Sequence, residues 1–173
     1  MLKGQNVLLR PLKKEDWHKT IIWRNDPELT GLVMSHPFPI TEEMEKEWYD
    51  NELTNKSNRA IYFAIEDAKS NNQIGITFLN NINWISGTVQ FGLLIGENSA
   101  RGKGFGRDVL ELILGYAFHT LNLRKISLEV ISINQVAIKL YEKIGFKVEG
   151  LLKSHCFFRD QYHDVLIMSK FNE

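Results

Sequence analysis

The segment Arg101-Gly102-Lys103-Gly104-Phe105-Gly106-Arg107 places glycine at every second position between a strand-like apolar run, Phe91-Gly92-Leu93-Leu94-Ile95, and a long helical pattern. It restricts the fold more than any other stretch, because this spacing asks for a strand-to-helix turn whose backbone lies bare to a ligand. A helix that opens there directs its unpaired N–H groups, and the positive end of its dipole, outward. With Arg101, Lys103 and Arg107 alongside, the segment reads as a cradle for a pyrophosphate.

Two better-known phosphate loops do not fit. A dinucleotide-binding Gly-x-Gly-x-x-Gly starting at Gly102 needs glycine where Arg107 stands, and one starting at Gly104 needs it where Val109 stands. A triphosphate loop ends in Gly-Lys-Ser/Thr, which this turn lacks. What remains is Arg-x-x-Gly-x-Gly. Further along, Asn134-Gln135-Val136-Ala137-Ile138-Lys139-Leu140-Tyr141-Glu142-Lys143-Ile144-Gly145-Phe146 reads as a helix. Asn134 is its N-cap, Ala137, Leu140, Tyr141 and Ile144 share a face, and Gly145 takes the left-handed position that ends it. In this order, the two segments resemble the paired signatures of the GCN5-related N-acetyltransferases (GNAT). The resemblance implies that the first turn binds the pyrophosphate of acetyl-coenzyme A.

A chain of 173 residues suffices for one domain with a sizeable core, so residues 1–173 are expected to form a single N-acetyltransferase domain. Lys plus Arg equals Asp plus Glu at 21 each, leaving no bulk positive field to attract nucleic acid. The single cysteine, Cys156, excludes an intrachain disulfide and a Cys-rich zinc site, and no metal is expected. No apolar stretch approaches the ~18 residues of a membrane span, and the N-terminus lacks a signal peptide's apolar region. A cytoplasmic protein is the expectation.

Periodicity predicts a strand over 7–12, a helix over 14–25, a turn at Asp26-Pro27 and a helix over 41–53. Strands over 60–66, 73–83 and 88–95 follow, joined by turns at Asn71-Asn72 and Ser86-Gly87. A helix over 104–121, a strand over 125–131, a helix over 134–144 and strands over 147–152 and 162–171 complete the order. Such an alternation predicts an α/β fold, one mixed sheet flanked by helices. The resemblance implies more: a mostly antiparallel sheet whose middle strands, 88–95 and 125–131, splay around the coenzyme.

Acetyl transfer by direct attack needs a deprotonated amine and an acid for the departing thiolate, but no enzyme nucleophile. The resemblance assigns the acid to Tyr141. It places coenzyme contacts on Leu93, Leu94 and Ile95, on Arg101, Gly102, Lys103, Gly104, Phe105, Gly106 and Arg107, and on Asn134, Ala137, Tyr141 and Lys143. Many relatives carry a glutamate as base on the strand before the turn, where this chain has Gln90. A glutamine cannot accept a proton, so Gln90 orients the amine or a water; deprotonation passes through water to Glu129 or His155, or the neutral amine is selected from solution, and the base stays unassigned.

Leu8-Leu9-Arg10-Pro11-Leu12, Trp23-Arg24-Asn25-Asp26 and Tyr162-His163-Asp164 resemble the RimJ/RimL-type branch, whose acceptors include protein N-termini, polyamines and amino sugars. Ile65-Glu66-Asp67-Ala68 is similar to bacterial spermidine acetyltransferases. Residues 41–52 hold six acids (Glu42, Glu43, Glu45, Glu47, Asp50, Glu52) against Lys46. They read either as a solvated helix or as an acidic wall for a cationic acceptor. Trp17, Trp23, Trp48 and Trp84 read as core residues or as lining of that pocket. The leading expectation is a RimJ/RimL-type enzyme acting on a protein N-terminal α-amine or a small-molecule amine, with polyamine or amino-sugar acetylation as the alternative. A non-catalytic acyl-coenzyme A binding module is the rival class, and a homo-oligomer is compatible with the resemblance.

Overall fold

The computed structural model describes residues 1–35, 38–53 and 58–172. Eight strands form one sheet in the order β1-β2-β3-β4-β5-β6-β8-β7. They are β1 (Leu2–Lys3), β2 (Val7–Pro11), β3 (Ile61–Asp67), β4 (Gln73–Asn83), β5 (Thr88–Ile95), β6 (Lys125–Ile131), β7 (Lys147–Phe158) and β8 (Gln161–Phe171). The helices are α1 (Trp17–Arg24), α2 (Pro27–Leu32), α3 (Glu42–Leu53), α4 (Phe105–Gly115) and α5 (Gln135–Ile144).

Neighbouring strands run antiparallel except β5 and β6, which are parallel and pair only from Thr88↔Lys125 to Gln90↔Ser127. Beyond Gln90 they part. β5 stays on β4 as far as Gly75↔Ile95, and β6 stays on β8 as far as Ile131↔Val165. A gap therefore opens in mid-sheet, edged by the backbones of 91–95 and 128–131.

Side-chain alternation assigns the helices to faces. Val89, Phe91, Ile126, Leu128 and Val130 join Val109, Leu110 and Ile113 of α4 and Ile138 and Tyr141 of α5 in the larger core. On the other face Ala64, Ile76 and Leu94 meet Trp23, Leu29 and Tyr49 of α1, α2 and α3. The gap thus has α4 and α5 on one side and α1 to α3 on the other.

Several elements depart from the sequence reading. Asp26-Pro27 starts α2 rather than forming a turn: the Asp26 carboxylate accepts the Glu28 and Leu29 N–H groups at 2.9 and 3.3 Å, and Pro27 sits in the first turn. The helix expected to reach residue 121 is α4 followed by a π-helical turn, Tyr116–Thr120, closed by the Leu121 N–H on the Tyr116 carbonyl at 3.0 Å. The strand expected over 147–152 continues to Phe158, because a register shift between Leu152 and Cys156 lets its pairing with β8 resume. No helix among the described residues is long and apolar enough to cross a membrane.

Asp108, in the first turn of α4, ties that helix to the chain's start. Its carboxylate accepts the N–H groups of Gln5, Asn6 and Val7 at 3.3, 2.7 and 3.1 Å. Asp108→Asn keeps an acceptor oxygen but loses the charge assistance, and is expected to cost ~1 kcal/mol of stability. Urea unfolding checks this; an unchanged midpoint would show that the bonds add nothing.

Candidate active site

The glycine turn meets its expected conformation. Gly102 and Gly104 have φ of +73° and +84°, and a Cβ built on either meets nothing within 4 Å. The first observation explains the residue type; the second leaves bare, open backbone at the mouth of α4, as a pyrophosphate requires. The three cations differ in their surroundings. Arg101 folds back to donate to the carbonyls of Ile95 and Gly96 at 3.1 and 2.9 Å, and Arg107 pairs with Glu111 at 2.8 Å. Lys103 is exposed and makes no ion pair among the described residues. Phe105 packs against the larger core, and a Cβ on Gly106 would just touch Leu93 and Leu140, so the turn is seated on β5 and α5.

Leu93, Leu94 and Ile95 lie on the stretch of β5 that has lost its β6 neighbour. Leu94 is buried towards α1–α3, whereas Leu93 and Ile95 pack on the α4 and α5 side. Their backbone edge therefore faces the gap, with the Ile95 carbonyl held by Arg101. The residues fit a pantetheine arm lying along that edge.

On α5, Asn134 caps the helix: its side-chain oxygen accepts the Ala137 N–H at 3.2 Å. Lys143 is exposed on the last turn. Tyr141 is 9% exposed, beside the Phe146 ring at 5.8 Å. Burial pushes its phenol up to about 12, because desolvation penalises the phenolate. Its hydroxyl has no hydrogen bond among the described residues.

Gln90 stands at the last residue pair before the strands part, opposite Ser127. Its side-chain oxygen accepts from the Asn81 amide at 2.9 Å, which fixes its orientation. Glu129 is two residues past Ser127, on the same face, exposed and without an ion pair among the described residues. It opens into a cavity of about 1010 Å³ together with Arg24, Asn25, Glu28, Gly31, His155, Cys156, Phe158, Arg159 and Asp160. Both relay candidates, Glu129 and His155, thus come together on the α1–α3 side of the gap. Tyr141 belongs to the α4–α5 side.

One wall of the cavity escaped the sequence reading. The β7–β8 hairpin turns at Arg159-Asp160 with φ of 51° and 59°, the left-handed pair of a type I′ turn, which favours Asn-Gly. For such residues that conformation costs roughly 1–2 kcal/mol each. Offsetting contacts are an Arg159–Glu28 ion pair, the Arg159 guanidinium 5.0 Å from the Phe158 ring centroid, and His163 Nε2 at 2.9 Å from the Phe158 carbonyl.

None of the six acids of residues 41–52 lines the cavity. Glu45 is fully buried, accepting from Arg24 at 2.5 Å and from the Thr20 hydroxyl at 2.6 Å. Asp50 pairs with Lys14 at 2.9 Å and Glu42 with Lys46 at 3.3 Å. The tryptophans do not line the cavity either. Trp23 is buried in the α1–α3 core with Trp17 and Trp48 packed on it, and Trp84 is exposed, donating to the Asn58 carbonyl at 2.9 Å.

Comparison with known proteins agrees with this geometry. The model of an acetyltransferase (GNAT) domain matches residues 6–147. The spermidine N(1)-acetyltransferase of Vibrio cholerae is 33% identical over 162 residues, covering 94% of this chain and 91% of that protein. The spermidine N(1)-acetyltransferase of Escherichia coli K12 is 29% identical over 171 residues, covering 99% and 89%. Among solved structures, spermidine N-acetyltransferase from V. cholerae in complex with CoA and spermine superposes with a TM-score of 0.89 at 31% identity, covering 97% of this chain and 96% of that one.

Proposed function

The chain belongs to the GNAT acetyltransferase family and is an acetyl-coenzyme A-dependent N-acetyltransferase, and on that footing we propose that its acceptor is a polyamine. The observation that carries this reading is the cavity beside the strand gap, where Glu129 and Asp160 are carboxylates without an ion pair among the described residues. Two such charges suit an acceptor with more than one cationic nitrogen. The spermidine acetyltransferases among its relatives support the same choice over a RimJ/RimL-type protein N-terminus. Membership of an enzyme family sets aside the non-catalytic binding module.

Acetyl-coenzyme A supplies the thioester; this chain's residues hold it and move protons. The backbone of Gly102 to Gly106, with Lys103 beside it, would hold the pyrophosphate, and the free edge of Leu93 to Ile95 would hold the pantetheine arm. Polyamine nitrogens, like lysine's, have pKa values near ~10 and arrive protonated. Glu129 takes that proton, directly or through one water, while Gln90 orients the nitrogen. The freed lone pair forms the new N–C bond, the C–S bond breaks as the Tyr141 hydroxyl gives its proton to the sulfur, and the second proton, lost by the acylated nitrogen, returns through water to the phenolate. A phenol pushed up to about 12 remains protonated at neutral pH and so is ready to donate.

Steady-state assays on spermidine, glucosamine and a short peptide with a free N-terminus test the acceptor. The highest kcat/KM is expected on spermidine; a preference for the peptide would overturn the polyamine reading. In the same assay Glu129→Gln is expected to lower kcat/KM about tenfold at neutral pH, with the deficit shrinking as pH rises and free amine becomes abundant. A pH profile identical to wild type would remove Glu129 from the proton's path.

A further inference from the structure

We infer that Phe158 determines which amines the cavity admits, acting as a latch that seats the β7–β8 hairpin tip on α2; this rests on the cavity being the acceptor site. A Cβ built at Gly31 of α2 would lie 2.0 Å from Phe158 Cε2 and 2.2 Å from Cδ2. The aromatic ring therefore occupies the space that any other residue at position 31 would fill. Glycine is a poor helix former, and its presence within α2 is explained by the ring it accommodates.

The ring is held from a second direction. The Arg159 guanidinium lies 5.0 Å from its centroid and is ion-paired with Glu28, one helical turn before Gly31. Gly31, Glu28, Phe158 and Arg159 all line the cavity. The Arg159-Asp160 turn has no glycine, and Arg159 at its first position is not a residue that favours a left-handed backbone, so the docking helps to hold its conformation. Strain kept at a ligand-facing turn and offset by docking onto another element is the pattern of a functional clamp. With the ring seated on α2, an aromatic side chain lines the same cavity as Glu129. It suits a slender, unbranched amine and obstructs one carried on a sugar ring.

The test compares Gly31→Ala, Phe158→Ala and the double variant, using spermidine and glucosamine as acceptors and calorimetry for coenzyme A affinity. Each single variant is expected to raise the spermidine KM about tenfold, with a smaller change in kcat and unchanged coenzyme A affinity. The kcat/KM ratio of spermidine to glucosamine should fall in both. The double variant should be no worse than either single one, since both remove one contact. Wild-type spermidine KM in both single variants, or a double-variant effect equal to the product of the two, overturns the latch and leaves the acceptor site standing. A wild-type protein that binds coenzyme A yet acetylates no amine overturns the acceptor-site reading and the latch with it.

Discussion

Replacing Tyr141 by phenylalanine is expected to lower turnover about a hundredfold while coenzyme A affinity stays within a factor of about two. The substitution removes one oxygen from a side chain that is otherwise packed in the larger core. That oxygen has no partner among the described residues, so its loss strands no other polar group and should not destabilise the fold. A fall in kcat that is matched in kcat/KM would identify an interaction made in the transition state. The pH dependence adds a second readout. With the phenol pushed up to about 12, the wild-type rate should show no loss of this acid below pH ~10. A falling limb near neutrality that disappears in the variant would contradict the assignment, as would unchanged turnover.

Replacing Glu45 by alanine is expected to cost ~3 kcal/mol of stability, because it removes the fully buried carboxylate of an ion pair and the acceptor of a buried hydroxyl. Arg24 would lose its carboxylate while remaining stacked over Trp48, 4.9 Å from the ring centroid. The Thr20 hydroxyl would lose the same acceptor. For a domain of this length the change corresponds to a drop in melting temperature of about 6–12 °C. Glu43→Gln and Glu47→Gln form the contrast. Both side chains are exposed and neither lines the cavity, so stability and the spermidine KM are expected to match wild type. If the Glu43 and Glu47 variants raised that KM instead, α3 would be the acidic wall after all.

These two residues illustrate what could be read from the chain. The acid role proposed for Tyr141 comes from the family resemblance, but the helix that carries it is a local motif. An N-cap, a helical face and a left-handed glycine recur within a few residues: Asn134 caps, Tyr141 is buried with Ala137 and Ile144 half-buried against the same core, Ile138 joins them from outside the expected face, and Gly145 has φ of +98°. Gly102 and Gly104 were legible for the same reason, since a positive φ is a property of the residue itself. The burial of Glu45 was not legible. Its partners, Arg24 and Thr20, lie on another helix, and a run of glutamates looks the same whether one of them faces a cation or water.

The cavity wall was hidden twice over. Asp26-Pro27 satisfies the rules for a turn and equally those for a helix start, so α2 was missed. Arg159-Asp160 lacks the glycine or asparagine that marks a tight hairpin, so the sequence pattern ends β7 at Leu152, six residues before Phe158. The parting of β5 from β6 after Gln90 is likewise silent in residue types, because Phe91 to Ile95 would suit a fully paired strand just as well. Only the resemblance to the family anticipated it.

The most direct test of the central claim is to incubate the protein with acetyl-coenzyme A and spermidine, count the thiol released and weigh the amine product by mass spectrometry. The account predicts one acetyl group on spermidine for each thiol freed, and no such product when Tyr141→Phe is assayed over the same short interval. Thiol release without acetylated spermidine, or acetylation confined to a peptide N-terminus, would contradict it.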